Sequence, residues 1–267
     1  MTTGKIETEL SSEAVWAQLR FEAREAAREE PALGSYLDAA IICQPDLASA
    51  LAFHLAEKLS DSRMTALQVQ EIALQAYDED PAIVRAAERD MAAALARDPA
   101  CYKLLQAFLF FKGFASIQAY RLAHWLWRSQ REMLAYHFQS RVSELFQVDI
   151  HPATKIGSGV MFDHATGITI GETAVIGDDC SILQGVTLGG TGKETGDRHP
   201  KVGNGVLVSV GAKVLGNISI GDKAKIAAGS VVLKDVAALC TVAGVPAVPV
   251  GGPCAEAARN MDQSLPE

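Results

Sequence analysis

The chain is expected to fold as an α+β protein. An N-terminal all-α helical domain precedes a parallel β-helix that carries one extended loop. Three observations predict this. Up to about Gln147 the sequence is rich in Ala, Leu, Glu, Gln and Arg, with apolar residues three and four apart, the spacing of a helix face. From Ile150 the helix formers give way to Val, Ile and Gly, and a six-residue beat begins. That beat is broken at two places, and each break holds a histidine. Residues 1–147 are therefore assigned to the helical domain, 148–250 to the β-helix and 251–267 to a flexible C-terminal tail.

In the first half, Pro31, Pro45, Pro81 and Pro99 stand where helices can begin, since a first-turn proline loses no hydrogen bond. Asp80 and Asp98 precede two of them and suit N-caps. The pattern predicts seven or eight helices, the last a long one from Arg131 to Phe146. Trp125 and Trp127 fit helix packing better than ligand binding, as large aromatic rings mostly fill cores and interfaces.

In the second half the beat is led by Ile150, Ile156, Phe162, Ile170, Ile176, Ile182, Leu188, Val202, Val208, Val214, Ile220, Ile226 and Val232. Glycine often follows, as at Gly157, Gly171, Gly177, Gly189, Gly203 and Gly221. A short period of this kind marks a β-helix. Each stride is one flat side of a prism, its lead side chain inside, and coils stack to bury a continuous apolar column. Between Phe162 and Ile170 the stride is eight residues, and between Leu188 and Val202 it is fourteen. The breaks carry Asp163-His164 and Arg198-His199, and Asp149 and His151 stand at the entrance to the first coil. Such histidines are also common as plain turn residues.

Composition excludes several classes. The chain has 267 residues, 49% of them hydrophobic, so it is long enough for a core and is not disordered. A net charge of −8 argues against nucleic acid as the partner. The opening "MTTGKIETELSSEAVW" has no hydrophobic signal region, and Lys112 and Arg121 interrupt the greasiest stretch, so no membrane association is expected. Five cysteines without a C-x-x-C pair fit reduced thiols in a cytoplasm.

Several segments together resemble the serine O-acetyltransferases, within the hexapeptide-repeat acyltransferases. They are "RDPA" at Arg97 to Ala100, "KGFASIQAYRLAHWLW" at Lys112 to Trp127, and "AGVPA" at Ala243 to Ala247. The run from Phe146 to Val202 adds "VDIHP", "DHATG" and "GGTGK…GDRHP". The resemblance covers nearly the whole chain. It implies a left-handed β-helix, three strides to a coil. It also implies transfer of acetyl from acetyl-CoA to the hydroxyl of L-serine, the first step of cysteine biosynthesis.

Such chemistry needs a base, because a free serine hydroxyl is a poor nucleophile and a neutral imidazole can take its proton. The resemblance makes His164 that base, Asp149 the carboxylate that orients it and His199 a second active-site histidine. It assigns Arg198 to the serine carboxylate, and Asp98 and Asp163 to its ammonium group. Bland roles stay open: Asp98 as an N-cap, Asp163 as a turn former, Arg198 as a solvated charge. Gly190, Val210 and Ala228 match the groove for acetyl-CoA, and Lys213, Lys223, Lys225 and Lys234 are candidates for its phosphates. Transfer is expected to be direct, in a ternary complex, with Cys180 only packing and no metal needed.

The resemblance further implies a homotrimer, or a hexamer built as a dimer of trimers, and feedback inhibition by L-cysteine. Members commonly end in an isoleucine that binds O-acetylserine sulfhydrylase. This sequence reads Leu265-Pro266-Glu267 instead, so that complex is expected to be weak or missing. Other hydroxyl acceptors, such as sugars, share the fold but do not require the helical front. The three-histidine zinc site of γ-class carbonic anhydrases does not fit the spacing of His151, His164 and His199. The retained His164, Asp149 and His199 argue against an inert scaffold.

Overall fold

The computed structural model describes residues 12–192, 195–254 and 256–265. Among them, eight α-helices precede the first strand: α1 (Ser12–Glu29), α2 (Gly34–Leu37), α3 (Leu47–Leu59), α4 (Ala66–Glu79), α5 (Ala82–Arg97), α6 (Leu104–Phe110), α7 (Lys112–Arg128) and α8 (Glu132–Phe146). No described helix is long and apolar enough to cross a membrane. The chain forms two compact units, one up to Phe111 and the other from Lys112 onward.

The first unit is built around Leu19, Leu51, Leu55, Leu59, Met91, Leu104 and Phe108, all inaccessible to water or nearly so. Asp46, after Pro45, caps α3 through the amide of Ser49 at 2.8 Å. Thr65 and Gln68 form a capping box on α4. Asp80, expected as an N-cap, instead ends α4, and Pro81 stands at the N-cap of α5, although the Asp80 carboxylate still accepts the amide of Ala82 at 3.2 Å. The expectation for Asp98 is corrected. It ends α5 and folds a tight turn by accepting the amide of Ala100 at 2.7 Å, and the next helix begins only at Leu104. A carboxylate before proline can close its own turn without starting a helix.

His54 on α3 is buried against Phe108, with ring centroids 5.1 Å apart, and its Nε2 has no hydrogen-bond partner among the described residues. Burial, reinforced by Lys58, lowers its pKa to about 3. In the unfolded chain a histidine titrates near 6.5, so as pH falls below that value the unfolded state binds the proton first. His54 thus contributes stability that is complete above pH ~6.5 and is lost towards pH 3, at up to about 1.4 kcal/mol per pH unit. In denaturant unfolding of this unit at a series of pH values, His54→Leu should remove that slope. An unchanged slope would assign the acid sensitivity elsewhere.

In the second unit α7 and α8 belong with the β-helix, although the sequence period changes only at Gln147. Gly113 lets α7 lie against the chain at Phe162, where an added Cβ would stand 1.9 Å from the carbonyl oxygen. Tyr120 donates to the carbonyl of Thr154, and Arg121 Nη2 to that of Gly157 at 2.7 Å. Trp127 packs edge-on against Tyr136 of α8, which supports the packing role expected for it.

The β-helix has three faces. The first holds β1 (Val148–Ile150), β4 (Ile168–Ile170), β7 (Thr187–Gly189), β10 (Lys213–Leu215) and β13 (Val231–Val232). The second holds β2 (Lys155–Ile156), β5 (Val175–Ile176), β8 (Lys201–Val202) and β11 (Ser219–Ile220). The third holds β3 (Met161–Asp163), β6 (Ser181–Leu183), β9 (Leu207–Val208), β12 (Lys225–Ile226), β14 (Thr241–Gly244) and β15 (Ala247–Pro249). All pairs are parallel except the closing hairpin β14–β15.

The lead residues stack on one another. Ile150, Ile170, Leu188, Val214 and Val232 are in register on the first face. The others do the same on theirs, and all thirteen are buried except the half-buried Ile156. The ladder explains why the breaks are tolerated. The chain takes twenty residues from Ile150 to Ile170 and twenty-six from Leu188 to Val214, yet each returns to register. The extra residues are extruded at the edges, where no ladder bond is lost.

Residues 251–267, expected to form a flexible tail, are packed in part. The short helix α9 (Ala257–Asn260) buries Ala257 and Ala258 against Leu183 and Leu207. The Ser181 hydroxyl donates to the carbonyl of Ala258 at 2.9 Å. Small apolar residues in a polar tail gave little sequence signal for this contact. Pro266 and Glu267, on which the expectation about the chain's end rests, lie outside the described residues.

Candidate active site

The first break opens at the edge where the third face turns into the first. Beyond Asp163 the backbone passes through His164 at φ 54°, Ala165 at φ 62° and Gly167 at φ 78°. Consecutive left-handed residues other than glycine are costly and persist only where neighbours fix them. Here Ala165 N–H bonds to the carbonyl of Asp163 and Thr166 N–H to that of His164, at 2.6 and 2.8 Å. Gly167 N–H reaches the carbonyl of Gln147, the C-cap of α8, at 2.7 Å. Lys112, at the start of α7, donates to the Thr166 hydroxyl. The result is a held imidazole in open solvent. The His164 side chain is 75% exposed, with Nε2 3.9 Å from Asp163 Oδ1, too far for a hydrogen bond.

Asp149 lies mid-strand on β1 beside Thr169 of β4 and accepts a hydrogen bond from Gln139 of α8 at 2.7 Å. Asp149 and His164 are not hydrogen-bonded to each other within the chain. His151, two residues on, stands edge-on to Trp127 and Tyr136 at 5.2 and 5.7 Å. Burial lowers its pKa, opposed by the nearby Glu172 and Asp149 carboxylates.

The second break opens at the edge between the first and second faces. Of its "GGTGK" segment, Lys193 lies outside the described residues. Thr173, one coil below, organises its far end. The Thr173 hydroxyl accepts the amides of Arg198 and His199 at 3.0 and 3.2 Å. Thr173 N–H donates to His199 Nδ1 at 3.2 Å. An accepting Nδ1 places the proton of the neutral ring on Nε2. Burial, reinforced by Arg198, lowers the His199 pKa, which favours that neutral ring. His199 therefore offers an N–H donor. Gly171 makes room for it, since a Cβ there would stand 2.0 Å from Nε2.

Arg198 spends part of its fork inside the chain. Nη2 donates to Glu172 Oε2 at 2.8 Å and Nη1 to the carbonyl of Gly196 at 3.0 Å. The Glu172 carboxyl is held below its usual range chiefly by that bond from Arg198. Sequence reading missed Glu172 and Thr173. Their signal was the "GET" that follows the lead residue Ile170, directly beneath the break. It also missed Gln139, which nothing in the sequence ties to Asp149.

The chain thus gathers Arg198, His199, Glu172 and Thr173 at one edge, with His151 near enough to influence His199. It gathers Asp163 and His164 at another. The two edges bound opposite ends of β4 and its flanking turns, a separation of roughly 20 Å at about 3.3 Å per residue. Gly190 lies with Arg198, its would-be Cβ 3.4 Å from Arg198 Cγ. Val210 and Ala228 lie on the edge of His164, Ala228 exposed and Val210 half-buried against the cluster that seats α9. Asp98 belongs to the first unit. Lys223 and Lys225 are engaged by Glu256 and Asp262, and Lys213 donates to the carbonyl of Gly185. Among the described residues, no group of three or more His, Cys, Asp or Glu is placed to hold a metal ion.

Comparison with known proteins adds to this geometry. The family model described as "Serine acetyltransferase, N-terminal" matches residues 15–119, and "Bacterial transferase hexapeptide (six repeats)" matches 199–234. A serine acetyltransferase of Salmonella typhimurium is 52% identical over 252 residues, 94% of this chain and 92% of its own. The crystal structure of a serine acetyltransferase from Vibrio cholerae is 50% identical with a TM-score of 0.94, over 95% of this chain and 99% of that one. A serine acetyltransferase from Brucella abortus, solved in complex with coenzyme A, is 48% identical with a TM-score of 0.89, over 90% of this chain and 96% of that one.

Proposed function

Because the chain belongs to the serine acetyltransferase family, we propose that His164 removes the serine hydroxyl proton as that oxygen attacks the thioester of acetyl-CoA. The reaction is transfer of acetyl from acetyl-CoA to serine, the first step of cysteine biosynthesis, and the β-helix is left-handed. The observation that carries the role of His164 is a register break that holds an imidazole exposed on a fixed backbone.

Attack gives a tetrahedral oxyanion. The Nε2–H of His199 is suited to stabilise it, as a fixed donor aimed at developing charge. Collapse breaks the C–S bond, and the thiolate takes the proton held by His164. Acetyl passes directly from sulfur to oxygen in a ternary complex. Cys180 supports this reading, because it is fully buried and donates to the carbonyl of Gly203, out of reach of a thioester.

Two edges of one chain cannot meet, so we assign each site to two neighbours in a trimer, paired as a hexamer. The His164 edge of one subunit, with Val210 and Ala228, would face the Arg198 edge of the next, with Gly190. Asp149 then orients His164 once the cleft is closed. Arg198 binds the serine carboxylate while Asp163, and Asp98 by the resemblance alone, take the ammonium group. L-Cysteine carries the same two charges and is assigned as a competing inhibitor. The free cysteines support a reducing, cytoplasmic setting.

Arg198→Ala tests the substrate cradle. Loss of a charged hydrogen bond is typically worth about 1.5–3 kcal/mol, so KM for serine should rise about tenfold to a hundredfold while KM for acetyl-CoA holds. Equal rises for both substrates would place Arg198 outside the serine site.

A further inference from the structure

The edge that carries His164 continues upward as a column. Gly185 N–H bonds to the carbonyl of Thr166, Gly211 N–H to that of Gln184 and Gly229 N–H to that of Val210, at 2.8, 2.9 and 2.8 Å. Thr166, Gln184, Val210 and Ala228 are therefore stacked coil on coil. Beside them run Gly167, Gly185, Gly211 and Gly229, with φ of 78°, 71°, 70° and 68°. An added Cβ at Gly211 or Gly229 would meet nothing within 4 Å, so the column borders open space.

Gln184 is out of keeping with the two small apolar residues above it. Its Oε1 is buried and has no hydrogen-bond partner among the described residues. Leaving such an atom unpaired is unfavourable, and a ligand amide would recover that loss. Gln184 follows Leu183, which is in register with Asp163, so it stands one coil above His164. Coils are about 4.8 Å apart. In an acyl-CoA, the amide nearest sulfur lies about 5 Å from the thioester carbon when the arm is extended. An acetyl carbon at the level of His164 puts that amide at the level of Gln184.

We propose that the Gln184 carboxamide binds the first amide of the pantetheine arm and so fixes the acetyl carbonyl at His164. This rests on the reading that the donor runs along the edge of Val210 and Ala228. The Gln184 side chain can satisfy both the N–H and the C=O of a secondary amide, which the side chains of Val210 and Ala228 cannot.

Three thioester donors test it with Gln184→Met, which keeps the volume but loses the amide. Acetyl-CoA and S-acetyl-N-acetylcysteamine carry the amide in question, and ethyl thioacetate does not. The expected result is an equal fall in kcat/KM for the first two, about tenfold to a hundredfold, with ethyl thioacetate unchanged and the assembly mass unaltered. An equal fall for all three donors, no fall for any, or a smaller assembly would overturn the assignment. Ala228→Trp separates the two readings. It should raise KM for acetyl-CoA but leave S-acetyl-N-acetylcysteamine, which is too short to reach it. If Ala228→Trp acts and Gln184→Met is silent, only the role of Gln184 fails. If Ala228→Trp leaves acetyl-CoA unaffected, the groove reading fails and takes this inference with it.

Discussion

His164→Ala should lower kcat for serine acetylation by about 10²–10⁴, the usual worth of a general base, with the assembly intact. The side chain is exposed, and its Nε2 lies 3.9 Å from Asp163 Oδ1, beyond hydrogen-bond distance, so stability should change little. The backbone is the more delicate part, because His164 and Ala165 both sit in the left-handed region. Alanine keeps a Cβ at this position and so adds no new backbone demand. KM for either substrate should move much less than kcat, since a proton acceptor acts chiefly in the transition state. CoA release in stopped assays, with the assembly size checked alongside, would measure this. A fall of less than tenfold would remove His164 from the role of base.

Gly171→Ala should be nearly as damaging for a different reason. Any Cβ at Gly171 would occupy the space of the His199 ring, 2.0 Å from Nε2 and 2.1 Å from Cδ2. The ring cannot simply turn, because Thr173 holds Nδ1 through its amide. Either the ring leaves, and an oriented donor is lost, or the turn beneath it shifts. Loss of one such donor typically costs about 10²–10³ in kcat. Overpacking should cost a further 1–3 kcal/mol of stability. The double variant Gly171→Ala/His199→Ala distinguishes the causes. Removing the ring makes room for the new methyl, so thermal stability should recover towards that of His199→Ala alone, while activity stays low. A Gly171→Ala protein as unstable with His199→Ala as without it would show that the ring is not what the Cβ meets.

The β-helix was legible because one physical requirement repeats. A lead side chain must be large and apolar every six residues, and thirteen positions met it, twelve of them fully buried. The breaks were legible for the same reason: an interrupted period stands out. The division at Phe111 was not legible. Helices α7 and α8 have the same composition as those before them, and their place beside the β-helix depends on contacts such as Gly113 on Phe162. Asp98 misled because a carboxylate before proline reads alike in a cap and in a turn.

In the proposed site, His164, His199 and Arg198 could be singled out by their place at the breaks. Glu172 and Thr173 could not, because they sit inside a regular stride and act only once the next coil lies above them. Gln184 was hidden for a similar reason. Its neighbours in the column, Thr166 and Val210, are eighteen and twenty-six residues away in sequence and become adjacent only through the ladder.

The proposed site requires the two breaks, at different edges, to be joined by different subunits. Mixed oligomers of His164→Ala and His199→Ala chains test this most directly. Each homomer would lack one of the two proposed catalytic groups at every site. In a mixed assembly, the His164 edge of a His199→Ala subunit can face the intact second edge of a His164→Ala subunit. Serine-dependent CoA release well above the sum of the two homomers is the predicted result. Activity no greater than that sum, in assemblies shown to contain both chains, would mean that each site is built within one subunit and would overturn the shared site.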